Sequence, residues 1–214
     1  MAAGDVNNDG DAEIIVGPQQ GPNRKVKVFD VDGTLLFSFF PYGATFTGAV
    51  RVAAGDLGFS DGRAEIVTAR SSGTSLIKVW DVANLAAPVR KFAAFSVAAG
   101  NFVAVGNVDN DAQAEVIVGA EGAQPPRVRW FDVSPSTPVQ EGQITAYTPS
   151  TFQGGVRVGV LPRFDAANRV DILTTPGLGI AAEVKRFDAV TLGALDNFFA
   201  YEDDFLNGAF VAGG

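Results

Sequence analysis

Short apolar runs recur along the whole chain, each closed by Gly, Asp, Asn or Pro. AEIIVG, starting at Ala12, and AEVIVG, starting at Ala114, are rich in branched residues. RKVKVFDV, from Arg24, alternates charged and apolar positions, the period of a half-buried strand. LLFSFFPY, from Leu35, is aromatic and ends at a Tyr-Gly turn, and GAVRVAAGD, from Gly48, is small enough for a crowded inner strand. The breaks between runs hold turn residues, and no stretch carries a helical period with caps. The pattern predicts an all-β chain.

The runs repeat about four times. Four segments align: AAGDVNNDGDAEIIVG from Ala2, VAAGDLGFSDGRAEIVT from Val52, VAVGNVDNDAQAEVIVG from Val103 and VGVLPRFDAANRVDILT from Val158. A strand-end aspartate follows each, at Asp30, Asp81, Asp132 and Asp188, spaced by 51, 51 and 56 residues. An aromatic register comes next, at Tyr42, Phe95, Tyr147 and Tyr201. Self-similarity at this period points to a solenoid or propeller. Four strands per repeat fit a β-propeller of about four four-stranded blades, a single domain over 1–214. The repeats fall near 1–51, 52–102, 103–157 and 158–212.

The first repeat lacks the opening half of its first strand, and Gly208 to Ala212 resemble that missing half. The expectation is a ring closed by this C-terminal strand, which completes the first blade and removes exposed sheet edges. The alternative is a homodimer that exchanges the strand, or four and four blades joined into one larger ring. Met1 falls mid-repeat with no signal peptide ahead of it, as expected of a piece cut or matured from something longer.

Composition narrows the chemistry. The 214 residues include no Cys and no His. Disulfides, thiol catalysis, Cys-ligated zinc and His-based triads or metal hydrolysis are excluded. A formal charge of −8 disfavours a nucleic-acid partner, and no apolar run is long enough for a membrane helix, so no membrane insertion is expected. What remains is carboxylate chemistry.

That chemistry concentrates in the loop between the first two strands of each repeat. In Asp5-Val6-Asn7-Asn8-Asp9-Gly10-Asp11-Ala12-Glu13, side-chain oxygens occupy positions 1, 3, 5 and 9. Position 7, Asp11, offers its carbonyl. Calcium takes six to eight oxygens, and this spacing is that of the first half of an EF-hand loop without the helices. The third loop repeats it with Asn107, Asp109, Asp111, Gln113 and Glu115, with Ala112 in place of the glycine and two neutral ligands. Weaker binding is expected there. The second loop keeps Asp56, Asp61 and Glu65 but is one residue longer and lacks position 3. The fourth retains only Asp165 and Asp171, beside Arg163 and Arg169, so an arginine is expected to replace the cation's charge.

The combination of these loops with Ala2-Ala3-Gly4-Asp5, Val103-Ala104-Val105-Gly106-Asn107, Glu13 to Gly17 and Glu115 to Gly119 resembles the FG-GAP or VCBS repeat of integrin-α-like β-propellers. Phe46 to Asp56 is similar to the bacterial variety, found in large secreted or surface proteins. The resemblance covers essentially the whole chain. It implies calcium held by Asp5, Asn7, Asp9, Glu13 and the Asp11 carbonyl, and an extracellular or cell-surface binding, adhesion or scaffold role. The family's rings commonly have seven repeats; this chain has four.

Two further expectations follow. Val26 to Leu36 reads like the first motif of haloacid-dehalogenase phosphatases, with Asp30 as nucleophile and Asp32 as acid/base. The same register in other repeats lacks the second aspartate, so the segment is expected to be a hairpin turn. The chain is expected not to be an enzyme, and its ligand is a protein or a glycan. A lectin-like carbohydrate-binding propeller is one alternative; an accessory domain of a secreted enzyme is the lesser one. Phe29, Trp80, Trp130, Phe131 and Phe187 are expected to pack between blades, and the variable loops around Pro18–Asn23 and Gly122–Pro126 to be where a ligand would lie.

Overall fold

The computed structural model describes residues 1–19, 21, 24–59, 61–109, 111, 113–122, 124–148, 152–163 and 169–212. It contains sixteen strands and, among the described residues, no helix. None is therefore long and apolar enough to cross a membrane. The strands form four antiparallel four-stranded sheets, each made from consecutive strands. The first holds β1 (Ala2–Gly4), β2 (Glu13–Val16), β3 (Val26–Phe29) and β4 (Leu35–Phe39). The second holds β5 (Val50–Gly55), β6 (Glu65–Arg70), β7 (Leu76–Trp80) and β8 (Arg90–Ala93). The third holds β9 (Asn101–Gly106), β10 (Glu115–Ala120), β11 (Arg127–Asp132) and β12 (Val139–Thr145). The fourth holds β13 (Val156–Pro162), β14 (Val170–Pro176), β15 (Glu183–Phe187) and β16 (Ala194–Phe199). The extensive contacts between sheets join consecutive ones, chiefly through β1, β5, β9 and β13. This is a propeller-like array of four blades.

Position in the blade explains each strand's composition. The second strands are enclosed by neighbouring blades, so β10 is buried at every residue and β6 at all but its last. They read as continuous apolar runs because both faces are covered. The outer strands keep a polar face. Three of the four third-to-fourth strand hairpins share one device, a register shift at Val28/Phe29, Trp130/Phe131 and Arg186/Phe187, just before the strand-end aspartate. Such bulges sharpen the local twist. The aspartate then accepts a backbone N–H one to three residues on: Asp30 from Val31, Asp81 from Ala83, Asp132 from Ser134, and Asp188 from Val190 and Thr191. The segment that resembles a phosphatase motif is thus a turn, as the repeat register predicts.

Blade-to-blade approach is set by glycines at the ends of the inner strands. A Cβ on Gly55 would stand 2.5 Å from Val105 Cγ1, and one on Gly106 would stand 2.7 Å from Val170 Cγ2. A Cβ on Gly4 would stand 3.0 Å from the Cβ atoms of Ala54 and Ala64. The fourth blade has Leu161 at this position, and it is 37% exposed. Among the described residues, no further blade of this chain presses on that face.

The expected completion of the first blade by the C-terminal strand is corrected. Residues 208–212 form no strand and no ladder with β2. They lie against the fourth blade, where Arg157 Nη1 donates to the Ala209 carbonyl at 2.8 Å and Thr175 Oγ1 donates to the same oxygen at 2.6 Å. The reason is local: β13 and β14 offer these donors immediately, whereas closing onto β2 requires the two end blades to meet. Gly213 and Gly214 lie outside the described residues.

Gly55→Ala is expected to lower stability by about 1–3 kcal/mol, as forced overpacking does. Leu161→Ala, at the equivalent position that no blade of the same chain covers, should stay within about 0.5 kcal/mol of the parent at concentrations where the chain is monomeric. Urea midpoints of the two variants measure the difference.

Candidate metal centre

A buried carboxylate organises each acidic loop. Glu13, Glu65 and Glu115 open the second strands and are 0%, 1% and 0% exposed. In each, Oε2 accepts a backbone N–H from the loop's second residue, at 2.8 Å: Val6, Leu57 and Val108 respectively. Burial places one oxygen on the loop backbone and leaves the other facing the loop interior.

The three loops use that second oxygen differently. In the first, Asn7 Nδ2 donates to Glu13 Oε1 at 3.1 Å and to Asp9 Oδ2 at 2.9 Å, so an amide nitrogen draws two carboxylates together. Asp5 caps the turn, accepting from Asn8 and Gly10, and Asp11 donates its N–H to Asp9 Oδ1. In the second loop Gly58 stands at the position of Asn7. Asp56 and Asp61 each accept one backbone N–H, and Glu65 keeps its Leu57 bond. In the third loop carboxylate oxygens of Asp109, Asp111 and Glu115 all lie within 4.8 Å of one another. Asn107 Nδ2 donates to the Asp111 carbonyl, and the Gln113 N–H to Asp111 Oδ1. Glu115 Oε1 and Asn107 Oδ1 are buried without a hydrogen-bond partner. An orphaned buried carboxylate oxygen is costly. An all-oxygen donor set with such an orphan fits a hard divalent cation. The order expected from the sequence, first loop before third, differs from the order of carboxylate convergence among the described residues. Asn7 accounts for this, since its amide already satisfies Glu13.

The electrostatics agree with the geometry. Burial pushes the Glu115 carboxyl up to about 8, and the neighbouring Asp109, Glu141 and Asp111 charges add to the rise. Burial, with Asp61 and Asp56, takes Glu65 to about 7. Glu141, at an exposed position in β12, is likewise raised to about 7 by partial desolvation and by Asp109, Asp132 and Asp111. Sequence reasoning missed Glu141, because it lies on the blade's outer strand, outside the loop motif.

The fourth loop is built differently. Asp171, 2% exposed, takes the place of the buried glutamate. The Arg163 guanidinium pairs with Asp171 and reaches Asp188 Oδ2 at 2.7 Å. An arginine cation thus occupies the acidic pocket, as the sequence suggested; Asp165 lies outside the described residues. Of the aromatics, Trp80, Phe131, Trp130 and Phe187 are buried, and Phe29 is half-buried. Phe39 packs on Trp80 at 5.1 Å and Phe92 on Phe131 at 4.8 Å, both across blade boundaries.

A cleft of about 220 Å³ lies between the inner strands. At one mouth, Arg51 pairs with Glu121 at 2.6 Å and covers the Phe102 ring at 4.1 Å, while Arg157 covers Phe210 at 4.3 Å. Of the variable loops, Pro18 and Gln19 line this cleft. Gln20, Pro22, Asn23 and Ala123 lie outside the described residues.

No family model and no curated protein matches the chain. Solved structures do. A chain from the mitotic checkpoint complex aligns with 90% of this chain at a TM-score of 0.56 and 15% identity. A Bacillus licheniformis rhamnogalacturonan lyase covers 94% at 0.56 and 12%, and an exotype rhamnogalacturonan lyase 92% at 0.57 and 12%. This chain spans about half the length of each: 48%, 50% and 48%. At such identities the likeness shows the fold alone.

The expectation that the chain is not an enzyme is corrected by these neighbours, two of which are lyases. A propeller-like scaffold carries enzymes as well as other proteins, because function resides in groups grafted onto the fold. The absence of His and Cys therefore does not assign the chain to a non-enzymatic class.

Two tests follow. A buried carboxyl whose folded pKa lies above its unfolded value contributes stability at low pH, which is lost as pH rises through the folded pKa. In chelator, the thermal midpoint should fall from the ordinary carboxylate range up to about pH 8, and Glu115→Gln should flatten part of that slope. Arg163→Met should cost about 3 kcal/mol, because it strands Asp171 without its main cation; chemical denaturation measures the loss.

Proposed function

We propose that the chain is a calcium-stabilised β-propeller module of the FG-GAP/VCBS type, working outside the cell as a binding or adhesion scaffold. The observation that carries the reading is the third loop, where Asp109, Asp111 and Glu115 converge and Glu115 Oε1 is buried without a partner. Asn107 would add a neutral oxygen. The first loop would bind after its Asn7 amide turns from Glu13 and Asp9. The second loop, with Asp56, Asp61 and Glu65, would bind more weakly, and Arg163 serves the fourth blade. Incomplete oxygen cages suit the millimolar calcium outside cells. A cation here would also secure blade packing, since the Asn107 carbonyl accepts the Val170 N–H at 2.7 Å and the Asp5 carbonyl accepts that of Ala64 at 2.8 Å, both across blade boundaries.

A second reading is favoured by the lyase neighbours: the module belongs to a carbohydrate-active protein and presents a glycan surface. Rhamnogalacturonan as probe, followed for binding and for chain cleavage, separates the two readings. Binding or cleavage makes the glycan the ligand; neither leaves the cation-stabilised scaffold.

The deciding experiment is the thermal midpoint in calcium, magnesium and chelator. Binding only the folded state stabilises by about 2.7 kcal/mol at a hundredfold excess over Kd. A calcium-selective rise of several degrees is expected, reduced in Glu115→Gln and in Asp109→Asn/Asp111→Asn. No shift at millimolar calcium would refute the reading.

A further inference from the structure

The three blade boundaries within the chain repeat one contact. At the first, Tyr42 sends its hydroxyl between the carbonyls of Thr68 and Leu76 in the next blade, at 2.8 and 3.0 Å. Lys78 of that blade lies over the Tyr42 ring at 5.1 Å and donates to the Pro41 carbonyl at 2.7 Å. At the second, Arg129 lies over Phe95 at 4.9 Å and donates to the Ala94 carbonyl at 2.6 Å. At the third, the Tyr147 hydroxyl meets Thr174 Oγ1 at 2.9 Å and the Glu183 carbonyl at 2.8 Å, and Lys185 lies over its ring at 5.0 Å. Phe95 and Tyr147 are 4% and 1% exposed.

Both halves of a fourth such contact are present and unmatched. Tyr201 holds the aromatic position of the fourth blade and is 51% exposed; Phe198, equivalent to Phe39 and Phe92, is 62% exposed. Every residue of β16 is exposed. On the first blade, Lys27 holds the position of Lys78, Arg129 and Lys185 and is exposed. Val16, equivalent to Thr68 and Thr174, is 37% exposed. The four blades follow the course of about half of the longer solved chains, so the two end faces point to a continuing array.

We propose that a second copy of this chain fills both faces. Tyr201 of each copy enters beneath Lys27 of the other, with Phe198 against Phe29, and the two copies close into one ring of eight blades. Residues 208–212 already lie on the fourth blade where the next inner strand would run, and in the dimer they extend β1 of the second copy. The occupant is set by continuity: the same contact is built three times within the chain, with the same residue types on both sides. The inference is independent of calcium.

Sedimentation equilibrium of the whole chain should give twice 22.3 kDa. Lys27→Glu and Tyr201→Ala, both at surface positions, should each halve that mass with an unchanged circular dichroism spectrum, while Lys91→Glu, on the exposed outer strand of the second blade, should not. The chain has no Cys, so Gln19→Cys/Glu202→Cys treated with a short bismaleimide reports the geometry. A linked dimer supports the proposal. A monomer linked within itself would show that the chain closes its own ring, and overturns it. An unlinked monomer, or an open series of larger oligomers, overturns it as well.

Discussion

The contact on which the rest of the molecule depends is the aromatic residue that each of the first three blades inserts beneath a cation of the next. It combines three favourable terms at one point. The ring leaves water, its face meets a lysine or arginine, and the cation or the hydroxyl satisfies carbonyls at the boundary. Cation–π contacts contribute about 0.5–2 kcal/mol each, depending on desolvation, and buried large side chains about 1.5–3 kcal/mol. A four-stranded sheet of this size buries too little of its own surface to stand alone, so the array is held mainly by these boundaries. Everything else is placed by them: which strand is enclosed, where glycine is required, and which faces remain uncovered.

The acidic loops are tied to the same boundaries. Their first residue lends its carbonyl to an N–H at or just before the start of the next blade's second strand, at Asp5 and at Asn107. Their last residue is a buried glutamate that holds the loop backbone from below. The loop is therefore anchored at both ends while its middle gathers carboxylates. Two solutions to the resulting charge are visible. Asn7 offers an amide nitrogen to Asp9 and Glu13, and Arg163 offers a guanidinium to Asp171 and Asp188. In the third loop neither device reaches Glu115 among the described residues, and its Oε1 stays unsatisfied. A propeller-like fold does not by itself choose between scaffold and enzyme, and this chain's architecture is shared with both lyases and a checkpoint-complex chain.

The strand count, the repeat period and the position of the acidic loops were legible in the sequence, because each depends on neighbours within a few residues. Alternation in Arg24–Val31, unbroken burial in Glu115–Ala120 and the Asp-capped turns at Asp30, Asp81, Asp132 and Asp188 are local signals, and the fold preserves them. Arg163 as a substitute cation was legible too, because it stands inside the loop where ligands are missing.

Other features had no local signature. Glu141 joins the field of the third loop from an outer strand, a distance in sequence that no motif spans. Asn7 turns its nitrogen rather than its oxygen to the carboxylates, a choice made by the surrounding hydrogen bonds. Residues 208–212 look like the missing half-strand of the first blade, yet they lie on the fourth, where Arg157 and Thr175 supply donors. The chain alone thus determined four β blades and their acidic loops, since short-range periodicity and turn chemistry encode them. Only the tertiary structure decided which carboxylates converge and which faces stay bare, since those depend on how sheets some fifty residues apart in sequence pack against one another.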